Sequence, residues 1–167
     1  MQKSCCIDID GVLNYYPQPW LHFLRTMGYS FEKLGEAKRG LSYEDYTCLK
    51  KEYRKSEEKR FQSPRMGSIE FIEKLREKGY RIILKTSRPI DEHPHLVGWT
   101  YEWLNEHWFM FDEVVFNRFH VHQIPVLYPN LEFMVDDDPE TVATMNRLGV
   151  KTFLFNGNFN QILRTIK

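Results

Sequence analysis

The stretch CCIDIDGVL, residues 5–13, decides the fold. An apolar run of strand length leads into two aspartates, Asp8 and Asp10, and Gly11 follows directly. Side chains two residues apart in a strand lie on the same side, so both carboxylates are predicted to face one way where the chain turns. Ligands of open parallel sheets bind at the carboxyl ends of the strands. The stretch therefore predicts a buried strand that brings two carboxylates to a ligand-binding edge.

Four further apolar or β-branched runs follow, separated by helical patterns. This alternation is typical of an α/β fold, and it predicts a Rossmann-like, mainly parallel sheet of about five strands with helices on both faces. A helix is predicted over 69–78, another over 95–107, and a third begins at Pro139. The predicted strands are 4–9, 81–86, 113–117, 131–135 and 151–155.

Residues 14–65 do not fit the alternation. They contain no convincing strand and predict helices at 20–27 and 42–60, the second capped by Ser42. We therefore expect a core of residues 1–13 and 66–167 with a helical insert of residues 14–65. Residues 50–60 hold six basic and three acidic side chains, which either help hold an anionic substrate or, as we favour, form a solvated helix face.

Composition excludes several classes of protein. The 167 residues are 42% apolar, enough for a packed core, and 23 basic residues balance 23 acidic ones. Overall charge therefore predicts no stable nucleic-acid partner and no membrane surface. The sequence shows no signal-peptide pattern and no apolar run of membrane-spanning length, so we expect a cytoplasmic protein. The three cysteines lack metal-type spacing.

More acidic residues are predicted at the same sheet edge. Asp136 and Asp137 end the fourth strand, and Asp138 is placed to cap the helix that follows. Such a cluster repels itself unless a cation neutralises it, and oxygen ligands favour Mg²⁺ over zinc. Thr86, with the turn at Ser87, adds hydroxyl and amide donors for an anion. Together these residues predict a phosphate-sized ligand bound with magnesium.

Three stretches resemble motifs of the haloacid dehalogenase (HAD) superfamily of phosphatases. They are DIDGVL at 8–13, RIILKTSRP at 81–89 and FMVDDDPE at 133–140. The resemblance extends over about residues 5–157, and the insert lies where that superfamily places a small helical cap. Within it, the chain is most similar to the 5'-nucleotidase and 5'(3')-deoxyribonucleotidase group, on the cap and on the run from TSRP through WTYEWL to FDEVVF.

The resemblance implies a phosphoaspartyl mechanism. Asp8 would be the nucleophile, and Asp10 would protonate the leaving oxygen and later deprotonate water. Mg²⁺ would be held by Asp8, the backbone carbonyl of Asp10 and Asp137, with Asp136 adjacent. The groups implied for the phosphoryl oxygens are Thr86 and the backbone amides near Ile9, Asp10 and Ser87.

One part of the family pattern is missing from the expected interval. No lysine lies between Thr86 and Asp136, where the superfamily places the lysine of its third motif. Arg118 is our first substitute because a guanidinium also binds phosphate, and His120 or His122 is the second. If none of them reaches the site, we expect weak activity or none.

Several alternatives stay open. The substrate is expected to be a nucleoside monophosphate or another small phosphorylated metabolite. Tyr15 and Tyr16 either stack on a nucleobase or pack the insert onto the core. The alternatives to a small-molecule phosphatase are a non-catalytic phosphate-binding or interaction module of the same fold and a polynucleotide end phosphatase, which needs a basic track.

Overall fold

A computed structural model describes residues 2–116 and 121–166. At its centre lies a five-stranded, all-parallel sheet in the order β3-β2-β1-β4-β5, so the strand with the first aspartate is central. The predicted α/β fold with a parallel sheet is confirmed. The strands are β1 (Ser4–Asp8), β2 (Arg81–Thr86), β3 (Glu113–Phe116), β4 (Leu131–Asp136) and β5 (Lys151–Leu154).

Helices cover both faces of the sheet. They are needed there because successive apolar side chains of the inner strands point to opposite faces, so that both faces are apolar. Ile7 and Leu84 belong to a core shared with the helices that follow residues 67, 94 and 158. Cys6 and Ile83 point to the opposite face, where the later helices supply Ile124 and Met145. These helices are α5 (Ser68–Glu77), α6 (His95–Glu106), α7 (Ile124–Leu127), α8 (Pro139–Arg147) and α9 (Phe159–Thr165).

Between β1 and α5 lies a helical layer with a core of its own. Trp20 is fully buried and packs against Phe23, Tyr46 and Tyr53. The insert boundaries of 14 and 65 stay a prediction. The helices of this layer are α1 (Gln18–Thr26), α2 (Leu34–Gly40), α3 (Tyr43–Tyr53) and α4 (Glu57–Arg60).

The predicted single helix over 42–60 is wrong. Ser42 caps α3 as expected by accepting a hydrogen bond from the Asp45 amide, but the chain leaves the helix after Tyr53. The Ser56 side chain accepts from the Lys59 amide and starts α4 as a separate turn. The break allows Lys59 to point toward the sheet. The helix α2 was not predicted.

In the two described segments, every helix is too short or too polar to cross a membrane.

Candidate active site

Strand register places three charged side chains in one row. Asp8 lies opposite Lys85 on β2, and Asp136 follows Val135, the partner of Ile7 on β4. Each charged residue comes two positions after a buried apolar residue of one face of the sheet. Because side chains two residues apart in a strand lie on the same side, Asp8, Lys85 and Asp136 lie on that face, at the carboxyl end of the sheet.

These three side chains form a buried ion cluster. The Lys85 Nζ donates to Asp8 Oδ1 at 3.2 Å and to Asp136 Oδ2 at 2.9 Å. Burial alone would lower the pKa of Lys85, but the two carboxylates raise it above its usual value. Burial raises the pKa of Asp8, a shift that Lys85 opposes and that Asp136 and Asp10 reinforce. The lysine is thus charged and is held between two carboxylates.

Lys85 corrects the prediction that the site lacks a lysine. It precedes Thr86 by one residue, just outside the interval in which we expected a lysine. Because it already contacts Asp8, no substitute is needed to balance that carboxylate. Arg118 and His120 lie outside the described residues. His122 is exposed on the short 3₁₀ helix Val121–Gln123 and does not line the cavity described below.

Asp8, Asp136 and Asp137 form a group with the chemistry of a metal site. One carboxylate oxygen from each lies within 4.8 Å of the others. Burial, followed by the charge of Asp136, raises the pKa of Asp137 to about 6, which reflects how poorly these charges are solvated. Three hard oxygen donors fit a Mg²⁺ ion, which would relieve their repulsion. The Asp10 carboxylate is not part of this group. We call Asp8, Lys85, Asp136 and Asp137 the floor.

The turn after β1 holds the aspartates in place. Gly11 has a φ of 97°, and a Cβ there would overlap the carboxylate of Asp137. Only glycine fits both constraints. The buried Asn14 side chain accepts from the amides of Gly11 and Tyr16 at 3.1 and 3.0 Å, and its Nδ2 donates to Asp10 at 2.9 Å. Asn14 thereby fixes the turn, a role that sequence reasoning missed.

The Asp10 carboxylate is surrounded by donors. Arg88 Nε and Nη2 reach its two carboxylate oxygens at 3.0 and 3.1 Å, and Lys59 Nζ reaches Oδ1 at 2.9 Å. The Thr86 hydroxyl lies 3.4 Å from Oδ2. Burial would raise the pKa of Asp10, but Arg88 and Lys59 together hold it well below its usual range. Asp10 is therefore a carboxylate in this structure.

A cavity of about 580 Å³ separates the sheet edge from the helical layer. Ser87 and Tyr16 both line it, and their binding of substrate stays a prediction. Tyr15 does not line it; its hydroxyl accepts from the Met66 amide and its ring packs on Arg65. The Ile9 side chain is fully buried, so only its backbone is placed to serve a ligand. Asp138 caps α8 as expected by accepting from the amides of Glu140 and Thr141.

Basic side chains line the cavity from the helical layer. We call Lys38, Lys50 and Arg54 the roof. The Lys50 Nζ donates to the Tyr16 hydroxyl at 2.8 Å and lies 4.3 Å from the Trp20 ring centroid and 5.3 Å from that of Tyr53. Burial, then the charges of Lys59 and Arg54, lowers the pKa of Lys50 to about 6. The roof is thus rich in basic groups, and Lys50 among them gives up its proton more easily than an exposed lysine.

No protein-family model matches the chain, and no curated protein matches it as a relative. Solved structures do match. A hydrolase from Streptococcus pneumoniae TIGR4 is 17% identical with a TM-score of 0.66, and 98% of each chain is covered. A predicted phosphatase from Clostridium acetobutylicum is 15% identical with a TM-score of 0.64, over 95% of this chain and 87% of that one.

A HAD-superfamily hydrolase from Ehrlichia chaffeensis is 16% identical with a TM-score of 0.54, and 99% of this chain and 97% of that one are covered. At such identities the likeness concerns the fold. It extends over nearly the full length of this chain in each case, helical layer included. The chain has the fold of the HAD-superfamily hydrolases.

Proposed function

We propose that this protein is a magnesium-dependent phosphomonoester hydrolase that forms an aspartyl phosphate on Asp8. The observation that carries the proposal is the floor: a carboxylate at the end of the central strand, with a charged lysine and two further carboxylates in contact range. Among parallel sheets this edge is where ligands bind. The floor opens into a cavity of a size that suits a small metabolite.

In the proposed reaction an Asp8 oxygen attacks phosphorus, and the bond from phosphorus to the ester oxygen breaks. Asp10 gives a proton to the leaving oxygen and then takes one from water. That water attacks phosphorus, which releases Asp8 and inorganic phosphate. Asp8, Asp136 and Asp137, with the backbone carbonyl of Asp10, would hold the Mg²⁺, whose charge offsets that of the phosphoryl oxygens.

Lys85 supports this proposal because it places a positive charge beside Asp8, the proposed nucleophile. It neutralises the buried floor before substrate binds, and a phosphoryl oxygen next to Asp8 would share its ammonium. Thr86 and the backbone at Ser87 are proposed to hold further phosphoryl oxygens. The non-catalytic alternative was based on a missing lysine, and Lys85 removes that reason for preferring it.

The ion pairs of Asp10 favour one of its two proposed roles. Held by Arg88 and Lys59, it is a carboxylate, the form that accepts a proton from water. To donate a proton to the leaving oxygen it must first be protonated, and that requires these ion pairs to loosen. The proposed mechanism therefore includes a rearrangement of Lys59 or Arg88 when substrate binds.

Residues 14–65 are proposed to act as a cap that excludes water and selects the substrate. The helical layer covers the cavity with Tyr16 and with the roof. The substrate is proposed to be a small phosphorylated metabolite. By resemblance, a nucleoside monophosphate is the first to test, which would make the protein a 5'-nucleotidase.

The test is release of inorganic phosphate from nucleoside monophosphates and sugar phosphates, with Mg²⁺ and with EDTA. We expect magnesium-dependent turnover in the wild type and a loss of at least about 10⁴-fold in Asp8→Asn, because the nucleophile is gone. Asp45→Asn, an exposed change on α3, is the matched control and should keep wild-type activity. Turnover that survives Asp8→Asn would contradict the mechanism. Magnesium binding without turnover of any monoester would favour the non-catalytic module.

A further inference from the structure

The three basic side chains of the roof share a feature that sets them apart from the other basic groups of the cavity. Lys59, Lys85 and Arg88 each contact a carboxylate. In the described part of the chain, no carboxylate lies within ion-pair distance of Lys38, Lys50 or Arg54. The roof therefore brings basic side chains to the cavity, and among the described residues none of the three has an acidic partner.

The placement of these cations is costly for the folded protein. Lys50 and Arg54 are four residues apart at the end of α3, a spacing at which like charges on a helix repel each other. Lys50 is partly buried, and its amino group lies within about 6 Å of the centroids of four aromatic rings of the helical layer. A lysine that served only to solvate the surface would not be held in this way. The arrangement suits the binding of an anion.

The transferred phosphoryl group does not account for this anion. In the proposed reaction it lies at Asp8, where Lys85 and the metal-type carboxylates already supply what it needs. The roof approaches the same cavity from α2 and α3, on the opposite side from the sheet. A ligand that fills the cavity can thus present one anionic group to the floor and another to the roof.

We infer that the substrate carries a second phosphate group, which binds to Lys38, Lys50 and Arg54. This inference rests on the proposed function and narrows it to small bisphosphorylated metabolites. Arg54 can bind a phosphate with two parallel hydrogen bonds, and the two lysines add compact charges. A carboxylate carries one charge and two oxygens, so it would leave part of the roof unpaired. A cavity of about 580 Å³ accommodates a nucleoside or sugar with two phosphates.

The test compares matched substrates that differ by one phosphate. We would measure kcat/KM for adenosine 3',5'-bisphosphate against adenosine 5'-monophosphate, and for fructose 1,6-bisphosphate against fructose 6-phosphate. At least one bisphosphate should be preferred by about 100-fold, since two or three charged contacts are gained. Arg54→Met should reduce that preference about tenfold. Lys51→Met, an exposed change on the same helix outside the cavity, should leave it unchanged.

Binding separates this inference from the proposed function. Calorimetry on the Asp8→Asn variant measures the affinity for each bisphosphate and monophosphate whether or not the wild type turns them over. Tighter binding of a bisphosphate that is weakened by Arg54→Met supports the second phosphate site, even without turnover. Turnover with no preference between mono- and bisphosphates, and no effect of Arg54→Met on it, overturns the inference and leaves the phosphatase intact. A preference for a 5'- or 3'-phosphorylated oligonucleotide over every small bisphosphate also overturns it.

Discussion

The floor and the roof face each other across one cavity, yet charged groups are paired with opposite charges on the floor and not on the roof. On the floor, Lys85 lies within hydrogen-bond distance of both Asp8 and Asp136, so opposite charges are paired inside the protein. On the roof, the contacts of Lys50 are the Tyr16 hydroxyl and aromatic rings instead of a carboxylate. A paired cluster is ready for chemistry before a ligand arrives, whereas an unpaired one gains its partner from the ligand.

The difference follows from the elements that build the two regions. Three adjacent parallel strands fix the floor, and their register leaves little freedom in where the charges lie. Helices α2 and α3 build the roof, and among the ion pairs of the described residues none joins the roof to the floor. We expect changes on the floor to abolish the reaction and changes on the roof to alter which substrate is used.

The largest effect is expected from Lys85→Met. The substitution leaves two buried carboxylates side by side and removes the ammonium beside the nucleophile, so kcat should fall about 100- to 1000-fold. Phosphate release under saturating Mg²⁺ measures it. Lys78→Met, an exposed change at the end of α5, is the control. Activity within threefold of the wild type would mean that another cation serves Asp8, and Arg118→Met would then be the variant to make.

The next effect is on stability, at Arg88, which joins the turn after β1 to α6. Arg88 is buried and donates twice to Asp10 and once to Thr100. Arg88→Met should lower the free energy of unfolding by about 3 kcal/mol, measured by urea denaturation. Arg76→Met breaks an exposed ion pair with Asp112 and should cost less than about 1 kcal/mol. Equal losses in the two variants would show that Asp10 is held mainly by Lys59.

A smaller loss is expected at the turn beneath the floor. Gly11 and Gly149 both have positive φ, but only at Gly11 would a Cβ meet another group, the Asp137 carboxylate. Gly11→Ala should therefore cost about 1 kcal/mol more than Gly149→Ala in urea denaturation. It should also weaken Mg²⁺ binding, because Asp137 must move. If the two glycine variants lose equal stability and bind Mg²⁺ equally, Asp137 is free to move without consequence for the floor.

Most of the floor could be predicted from the sequence because strand periodicity determines it. The alternation in CCIDID and the two aspartates after the fourth strand are enough to place carboxylates at one sheet edge. Lys85 carried a signal that was overlooked: a lysine within the buried run RIILKT requires a partner of opposite charge. The neighbouring Asp8 was the available partner. The position of Lys85 relative to the motifs did not indicate its role, whereas its charge within a buried strand did.

The roof was harder to predict because nothing periodic determines it. A single helix over 42–60 was expected, since the pattern of charged residues continues through the break. The Ser56 cap decides where α4 begins, and with it the direction of Lys59. The favoured interpretation of residues 50–60 as a solvated face holds for Lys51 and Lys55 but not for Lys50 or Lys59. Which basic side chains turn inward depends on the packing around Trp20 and Tyr53, which the sequence does not specify.

The last expected effect concerns the pH dependence of the roof. In the folded protein Lys50 has a pKa of about 6, whereas an unfolded lysine has one of about 10.4. Between these values the unfolded chain binds more protons, so the contribution of Lys50 to stability is lost as pH falls from about 10 to 6. The titratable or charged groups that face it or act on it are Tyr16, Tyr46, Tyr53, Lys38, Arg54, Lys59 and Asp10.

Lys50→Met removes this dependence. We would measure the free energy of unfolding of the variant and the wild type by urea denaturation at pH 6.5 and at pH 9.5. The difference, variant minus wild type, should be at least about 1 kcal/mol larger at pH 6.5 than at pH 9.5. Lys51→Met, exposed on the same helix, should show no such difference. A Lys50→Met effect that is equal at both pH values would mean that the rings and the Tyr16 hydroxyl keep the ammonium charged. The roof would then hold all three charges before a ligand binds, and a second phosphate would bind without taking up a proton.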